Sequence, residues 1–409
     1  MTGFGFHAAF FLLPGSGACD PSREEPISIP LPHPLDVLYK TSMIVHVVPT
    51  SVPPLPPLRV GMVGVGGFGE CRRAWMRQSG LYQILALHDW NQATAMAAAA
   101  EEGAVCVDSM EELLSFPGLE AVVISTGAKF HCEQCVLALE AGLPVFVEKP
   151  LCSTPAEMLK LIRAVQKAGL PFVVGHNELS TDPYVRRTRE LLDSGAFGKI
   201  CAFEKTTAHS GAFKMKPGDW RADPAKNPGG MLFQCGVHAL HELMYYFGPV
   251  TEVFAQMRYD LMPTKTADAA LCHLRFADGL IGTLQAYHCT PYRHTLSIFG
   301  LEASLYRDER HHEAGTTFLL QKRSHDGGYE AHEVLEPLGE SDPTGSLRNF
   351  YQAVKEQDPT LCYPGVVEGA RAVAVTFAAE ESSRTGGPVA LDKYLPDSLL
   401  RSMPVVAVH

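Results

Sequence analysis

The sequence predicts an α/β protein, a doubly wound parallel sheet with helices on both faces, followed by a second α/β part with a large, mostly antiparallel open sheet. Three observations predict it. Short apolar runs alternate with helix-length segments from residue 58 to about 178, the pattern of parallel strands joined by crossover helices. One run, Ala121–Ser125, is continuously apolar up to its final serine, as strands buried on both faces are. Beyond residue 180 strand-like runs take over, and two of them are joined by Asp278-Gly279, a hairpin turn signal.

Taken in order, Leu58–Gly64 reads as a strand ending in glycines, followed by a helix over Gly69–Gln78 and a strand over Gln83–His88. An Ala-rich helix over Ala93–Glu102 and a helical piece over Met110–Ser115 precede the Ala121–Ser125 strand. Then come a helix over Phe130–Ala141, a strand over Val145–Glu148, a helix over Pro155–Ala168 and a strand over Pro171–Gly175. Ala269–Phe276, Leu280–His288 and His294–Phe299 read as strands of the second sheet. The segment before residue 58 is different. Its apolar stretch Phe4–Leu13 is short, has no basic residue ahead of it and stops at Pro14, which does not make a signal peptide. The proline-rich run Pro53–Pro57 should be extended or disordered. The expected organisation is an extension over 1–57 (a disordered or non-native start, Met43 being an alternative one), a dinucleotide-binding domain over 58–178, a substrate-binding and oligomerisation domain over 179–393, and a tail over 394–409.

Composition narrows the function. With 46% hydrophobic and 19% charged residues the 409-residue chain is globular. A net charge of −11 argues against nucleic acid and against an anionic membrane surface as partners, and no run of about 18 apolar residues is present to span a bilayer. Eleven scattered cysteines are an odd number and too sparse for a secreted disulfide scaffold, so a reducing cytoplasm is expected. The Cys132-x-x-Cys135 pair lies in a helical stretch with no second pair at zinc spacing, and no metal is expected.

Gly64-Val65-Gly66-Gly67-Phe68-Gly69 is a G-x-G-x-x-G set between a strand and a helix. Its glycines permit the tight turn, let backbone approach a pyrophosphate and allow close helix–strand packing, while the helix N-terminus faces the negative charge. Asp89 ends the next strand, 20 residues after Gly69. A carboxylate there accepts from the adenosine ribose hydroxyls and repels a 2′-phosphate, which favours NAD over NADP. Arg72 and Arg73 could instead serve a 2′-phosphate, but their place inside the first helix favours packing or a solvated face. Together these features specify a Rossmann-type cofactor domain.

Two segments carry chemistry. Val147-Glu148-Lys149-Pro150 ends a parallel strand, at the sheet edge where ligands gather, and its lysine can hold a substrate oxygen. Gly229–Gly248 contains a helix with a glycine stop. At 100° per residue Gln234, His238 and His241 share roughly 60° of arc. Trp220-Arg221 suit a sugar ring and its hydroxyls, His176-Asn177 follow the last parallel strand, Tyr287 and His288 end a strand beside the expected pocket, and His311-His312 read as a solvated loop.

At these residues the sequence resembles the glucose–fructose oxidoreductase / inositol dehydrogenase / rhizopine-catabolism family, from about Leu58 to about Leu391. Gly64–Gly69 with Asp89, Ser125-Thr126-Gly127, Glu148-Lys149-Pro150, Val174–Asn177, Trp220-Arg221, Gly229-Gly230 and the His238 helix carry the resemblance. It implies NAD bound by Gly64, Gly66, Gly67, Phe68, Gly69, Asp89, Ser125, Thr126, Glu148 and Lys149. It also implies a sugar- or polyol-like substrate held by Lys149, His176, Asn177, Trp220, Arg221, Gln234, His238 and His241, and a homo-oligomer, dimer or tetramer. In the implied mechanism His238 takes the hydroxyl proton and Lys149 holds the oxygen as hydride passes to the nicotinamide. This chain departs from the inositol-type pattern, with Gln234 four residues before the histidine and His241 three after it where such members carry Asp. The departure implies a weaker base at His238 unless Glu242 supplies the charge, and either more acid–base work for Lys149 or a different substrate, so that activity on myo-inositol is not expected to carry over. Transient oxidation with elimination of a glycosidic group, and NAD binding without catalysis, are the alternative readings.

Overall fold

The computed structural model describes residues 56–400, apart from 217, 311–314, 325 and 327–331. The described residues lie in one compact unit. Nearly all of the predicted extension, the last nine residues and His311-His312 lie outside them.

The first half alternates as expected, with one short edge strand added: β1 (Leu58–Val63), α1 (Phe68–Ser79), β2 (Tyr82–His88), α2 (Gln92–Glu102), β3 (Val105–Cys106), α3 (Met110–Leu114), β4 (Ala121–Ile124), α4 (Ala128–Glu140), β5 (Val145–Val147), α5 (Pro155–Ala168) and β6 (Phe172–Val174). That strand, β3, is not predicted by the sequence. The strands form a parallel sheet in the order β3-β2-β1-β4-β5-β6. Residues of β4, β5 and β6 are buried throughout, which explains their unbroken apolar character. Helix ends follow local chemistry. Thr154 and Glu157 form a capping box at α5, with Pro155 in its first turn, and glycines in the left-handed conformation stop α1, α2 and α5.

The chain continues through α6 (Glu178–Thr181), α7 (Pro183–Asp193), β7 (Ile200–Ala208), α8 (Val237–Phe247), β8 (Val250–Arg258), β9 (Ala269–Phe276), β10 (Ile281–Tyr287), β11 (Arg293–Gly300), β12 (Ala303–Glu309), β13 (Thr316–Lys322), β14 (Glu333–Val334), α9 (Gly345–Glu356), α10 (Val366–Thr385), β15 (Val389–Ala390) and α11 (Asp397–Leu400). Among the described residues nine strands form the second sheet, ordered β14-β13-β12-β11-β7-β10-β9-β8-β15. It is antiparallel except where β7 meets β10. In β9, Ala270, Cys272, Leu274 and Phe276 are buried or nearly so while Leu271, His273 and Arg275 face outward, the alternation of a sheet covered on one face. Helix α10 packs on β8 and β15 of this sheet and also touches α8, α5 and β6, so one apolar core runs from the first sheet to the second.

Helix α9 returns to the first sheet. Leu347, Phe350 and Ala353 join Val60, Met62, Ala121, Phe146 and Val173 in its other core, and Phe350 meets Phe146 edge to face at 5.8 Å. Because β1, β4, β5 and β6 are parallel, the segments that follow them emerge at one sheet edge. Gly64–Gly69, Ser125-Thr126, Glu148-Lys149 and His176-Asn177 meet there, beside the start of α8.

Candidate active site

The glycine turn is shaped by close approach. Gly64 has φ +79°, and a Cβ on it would lie 2.7 Å from the Ser125 carbonyl carbon. A Cβ on Gly69 would lie 2.2 Å from the Gly64 carbonyl oxygen, so α1 can start this near β1 only without a side chain there. Gly67 caps α1 with no side-chain hydrogen bond, and the space its Cβ would enter is open for 4 Å. An open turn at a helix N-terminus fits a pyrophosphate. Asp89 lies against this turn. Its Oδ2 accepts from the backbone N–H of Val65 at 2.9 Å and of Gly66 at 3.4 Å, and its Oδ1 from that of Asn91 at 2.9 Å. Phe68 is half-exposed at the rim. Both arginines of α1 are committed to carboxylates. Arg72 is fully buried between the rings of Phe146 and Trp75 and pairs with Glu148 at 2.6 Å. Arg73 meets Glu101 and Glu102 at 2.6 Å each. Packing, the role favoured for them in the sequence, is what the geometry gives.

Lys149 leaves the end of β5 and donates from Nζ to the Gln234 carbonyl at 2.9 Å. Residues Leu232–Gly236 form a π-helical turn before α8, a widening that often marks functional sites. The regular helical wheel expected over Gln234–His241 is therefore corrected, because α8 begins only at Val237. The π turn buries the Gln234 amide with its Nε2 unpartnered. His238 and His241 do share an edge, and both meet Glu178. Oε1 of Glu178 takes His238 Nδ1, and Oε2 lies 3.1 Å from His241 Nδ1. His176 stacks on His241 with ring centroids 4.7 Å apart and meets His238 edge-on at 5.6 Å. Lys149 and His238 thus converge one turn apart on the same helix start.

Two models of one family match this chain. "Oxidoreductase family, NAD-binding Rossmann fold" matches residues 58–176, and "GFO/IDH/MocA C-terminal domain" matches residues 185–306. The chain belongs to the GFO/IDH/MocA oxidoreductase family. Scyllo-inositol 2-dehydrogenase (NAD(+)) of Bacillus subtilis (strain 168) is 26% identical over 288 residues, covering 69% of this chain and 80% of that protein. A Desulfitobacterium hafniense protein assigned as an NADPH-dependent oxidoreductase has a TM-score of 0.77 at 19% identity, over 83% of this chain and 99% of that one. Levoglucosan dehydrogenase, in complex with NADH and L-sorbose, has a TM-score of 0.71 at 21% identity, over 82% and 99%. At these identities the two solved structures establish the fold.

Within this family member the charge expected of Glu242 is committed elsewhere. Its carboxylate bonds Lys205 and the Tyr246 hydroxyl (3.1 Å) and lies 3.8 Å from Arg307. Glu178 holds the place instead, and no reading of the sequence singled it out. Its one sequence signal is that it directly follows His176-Asn177. His131 was missed as well. Fully buried, its ring lies 2.9 Å from the Thr126 carbonyl and 2.8 Å from that of Pro150, tying the segment after β4 to the one after β5. Ser125 Oγ is buried without a partner, and Thr126 Oγ1 donates to Gln134 at 2.6 Å. Glu148 faces Arg72, with Oε2 left buried against Gly175. Asn177 precedes α6, and its carbonyl accepts from the hydroxyls of Ser180 and Thr181. Burial raises the Cys235 thiol and pushes His288 down; the charge of exposed Arg221 opposes the first shift and adds to the second. Trp220 opens a 3-10 turn, and its side chain lies outside what is described. His209 Nε2 meets Cys235 Sγ at 3.2 Å, and its ring meets that of buried His288 at 5.1 Å. Cys132 and Cys135 are both buried in α4, and burial pushes their thiols up.

The imidazoles share one electrostatic fate. Burial, then neighbouring positive charge, holds His176 and His238 well below the ordinary histidine range. Burial pushes His241 and His288 down to about 4. All four are neutral at pH 7. The unfolded chain takes protons below about pH 6.5 that the folded chain refuses, so stability is retained above that pH and lost as pH falls from about 6.5 towards 4. We expect a steep fall in Tm over that interval, up to about 1.4 kcal/mol per pH unit for each fully buried imidazole. A Tm constant from pH 7 to pH 4.5 would contradict this account of the cluster.

Proposed function

We propose that this chain is an NAD(H)-dependent dehydrogenase acting on the carbinol, or the corresponding ketone, of a sugar- or polyol-like substrate. The carrying observation is the convergence of the Lys149 ammonium and the His238 imidazole beside an open glycine turn. The turn Gly64–Gly69, with Phe68 at its rim, and the start of α1 hold the pyrophosphate; Asp89 accepts from the adenosine ribose, and Ser125, Thr126, Glu148 and Lys149 flank the nicotinamide end. Bound NAD supplies the two-electron acceptor for the hydride of the carbinol carbon. Lys149 holds the reacting oxygen and stabilises its developing charge, and Nε2 of His238 takes the hydroxyl proton. Glu148, clamped by Arg72, keeps the Lys149 segment in place. Around the substrate we place Asn177, Trp220, Arg221 and Gln234, which suit a ring carrying several hydroxyls; His176 and His241, expected there from the sequence, are buried and back His238 and Glu178 instead. The inositol and sugar dehydrogenases among the relatives support this class of substrate.

His176, Glu178 and His238 each bring one potential ligand atom within 4.8 Å of the others. We read the group as handling protons, with Glu178 bonded to His238.

The same reading divides the chain near residue 178 into cofactor and substrate domains and makes it a homo-oligomer joined through the outer face of the second sheet, where Leu271 and Ile281 are exposed. A reducing cytoplasm suits the ten described cysteines, all of them free. Among the described residues no helix is long and apolar enough to cross a membrane.

A panel of sugars, inositols, uronates and glycosides tests the activity. Net NADH formation is the expected result, and glycoside cleavage without net cofactor turnover would reassign the site to oxidation–elimination. We expect kcat/KM to favour NAD over NADP by about tenfold or more, some 1.4 kcal/mol or above, and Asp89→Ala to erase most of the difference. Equal use of both cofactors by the unaltered enzyme would remove Asp89 from that role.

A further inference from the structure

We propose that Glu178 is the positioning residue of the active site, dividing its two carboxylate oxygens between His238 and His241 so that His238 presents the bare Nε2 to the substrate. The inference rests on the reading of His238 as proton acceptor. An ionised carboxylate offers only lone pairs, so each Nδ1 bonded to it must carry the proton. In a neutral ring this leaves Nε2 as the unprotonated nitrogen, the form a base requires. Without such a partner a histidine is free to adopt either tautomer.

The surroundings leave this task to Glu178. Gln234 adds no charge, and its amide nitrogen is buried without a partner. Glu242 is held by Lys205, Tyr246 and Arg307. Among the described residues Glu178 is the carboxylate that touches His238. Its side chain is 12% exposed, and of the three imidazoles around it His238 alone reaches solvent, at 28%, against 0% for His176 and 1% for His241. Two rings therefore wall the carboxylate in, and the third, His238, reaches solvent and feels the Lys149 charge. When His238 takes a proton its new charge is paired at once with Glu178, and a partly buried imidazolium left unpaired would be costly.

In Glu178→Gln the carboxylate is replaced by an isosteric amide. We expect kcat to fall about 10²-fold or more, the scale of a mispositioned general base, with substrate KM and NAD Kd within about threefold of the unaltered enzyme. Glu178→Asp, which keeps the charge, recovers part of the loss. A second measurement uses the unaltered protein with ¹⁵N-labelled histidine. Long-range ¹H–¹⁵N correlation, assigned by the signal missing in His238→Asn, should show His238 protonated at Nδ1 and bare at Nε2. The opposite tautomer overturns the inference whether or not either variant folds, and so does an unchanged kcat in Glu178→Gln. Metal analysis adds a third arm. A stoichiometric divalent ion whose removal abolishes activity would make Glu178 a ligand and overturn the positioning role, whereas metal-free active enzyme agrees with it. If His238→Asn keeps the full rate, the base assignment itself has failed. If His238→Asn is inactive and Glu178→Gln is not, only the present inference has.

Discussion

Replacing Lys149 with Met lowers kcat/KM by about 10³-fold or more while leaving NAD affinity within about threefold. The substitution keeps an unbranched chain of similar reach and removes the charge. In the resting site the ammonium donates to the Gln234 carbonyl at 2.9 Å, so it is fixed in direction before substrate arrives and pays little to reorganise when charge develops on the reacting oxygen. Its charge also reaches His176, His209 and His238, adding to the burial that lowers each, and Cys235, where it opposes the burial that raises the thiol, which places it among the pocket's polar groups. NAD binding rests chiefly on the glycine turn and Asp89, which the substitution does not touch. Kinetics beside a direct binding measurement, such as NADH fluorescence, separates the two effects. A variant that turns over normally would remove Lys149 from the chemistry, and one that loses NAD affinity in step with rate would make it a cofactor ligand.

The parallel sheet was legible because its signals are local. Apolar runs of strand length, glycines at helix stops and the Gly64–Gly69 turn each fix their own neighbourhood, and predicted element bounds fall within two residues of those observed. The second sheet was legible only in its most regular strands, β9, β10 and β11. Helix α9 illustrates what was hidden: its apolar face reads as that of any amphipathic helix, and nothing local says that Leu347 and Phe350 pack against a sheet built some 200 residues earlier. The site divides the same way. Lys149 and His238 were visible because each sits in a recognisable segment. Glu178 was not, because a glutamate opening a four-residue helix looks like a solvated charge until the fold lays it between two histidines 60 and 63 positions away. Glu242 drew attention for proximity in sequence, yet α8 carries it to the Lys205–Arg307 side, where two buried cations require a carboxylate.

His238→Asn should cost about 10² to 10⁴ in kcat/KM and erase the acid limb of its pH profile. A base must be unprotonated to act. Burial first, then Lys149, His176, His241 and His294, holds His238 well below the ordinary histidine value. In the unaltered enzyme kcat/KM should therefore stay flat from pH 8 down past about 6.5 and fall only at more acid pH. Tm recorded at each pH distinguishes that limb from acid unfolding. The two largest effects are coupled, which makes them testable together. Removing the ammonium in Lys149→Met takes away one cause of the depression, so the limb of its residual activity should move to higher pH. A limb that stays in place would mean that the two groups do not share a field, and the arrangement inferred from their convergence at the start of α8 would have to be abandoned.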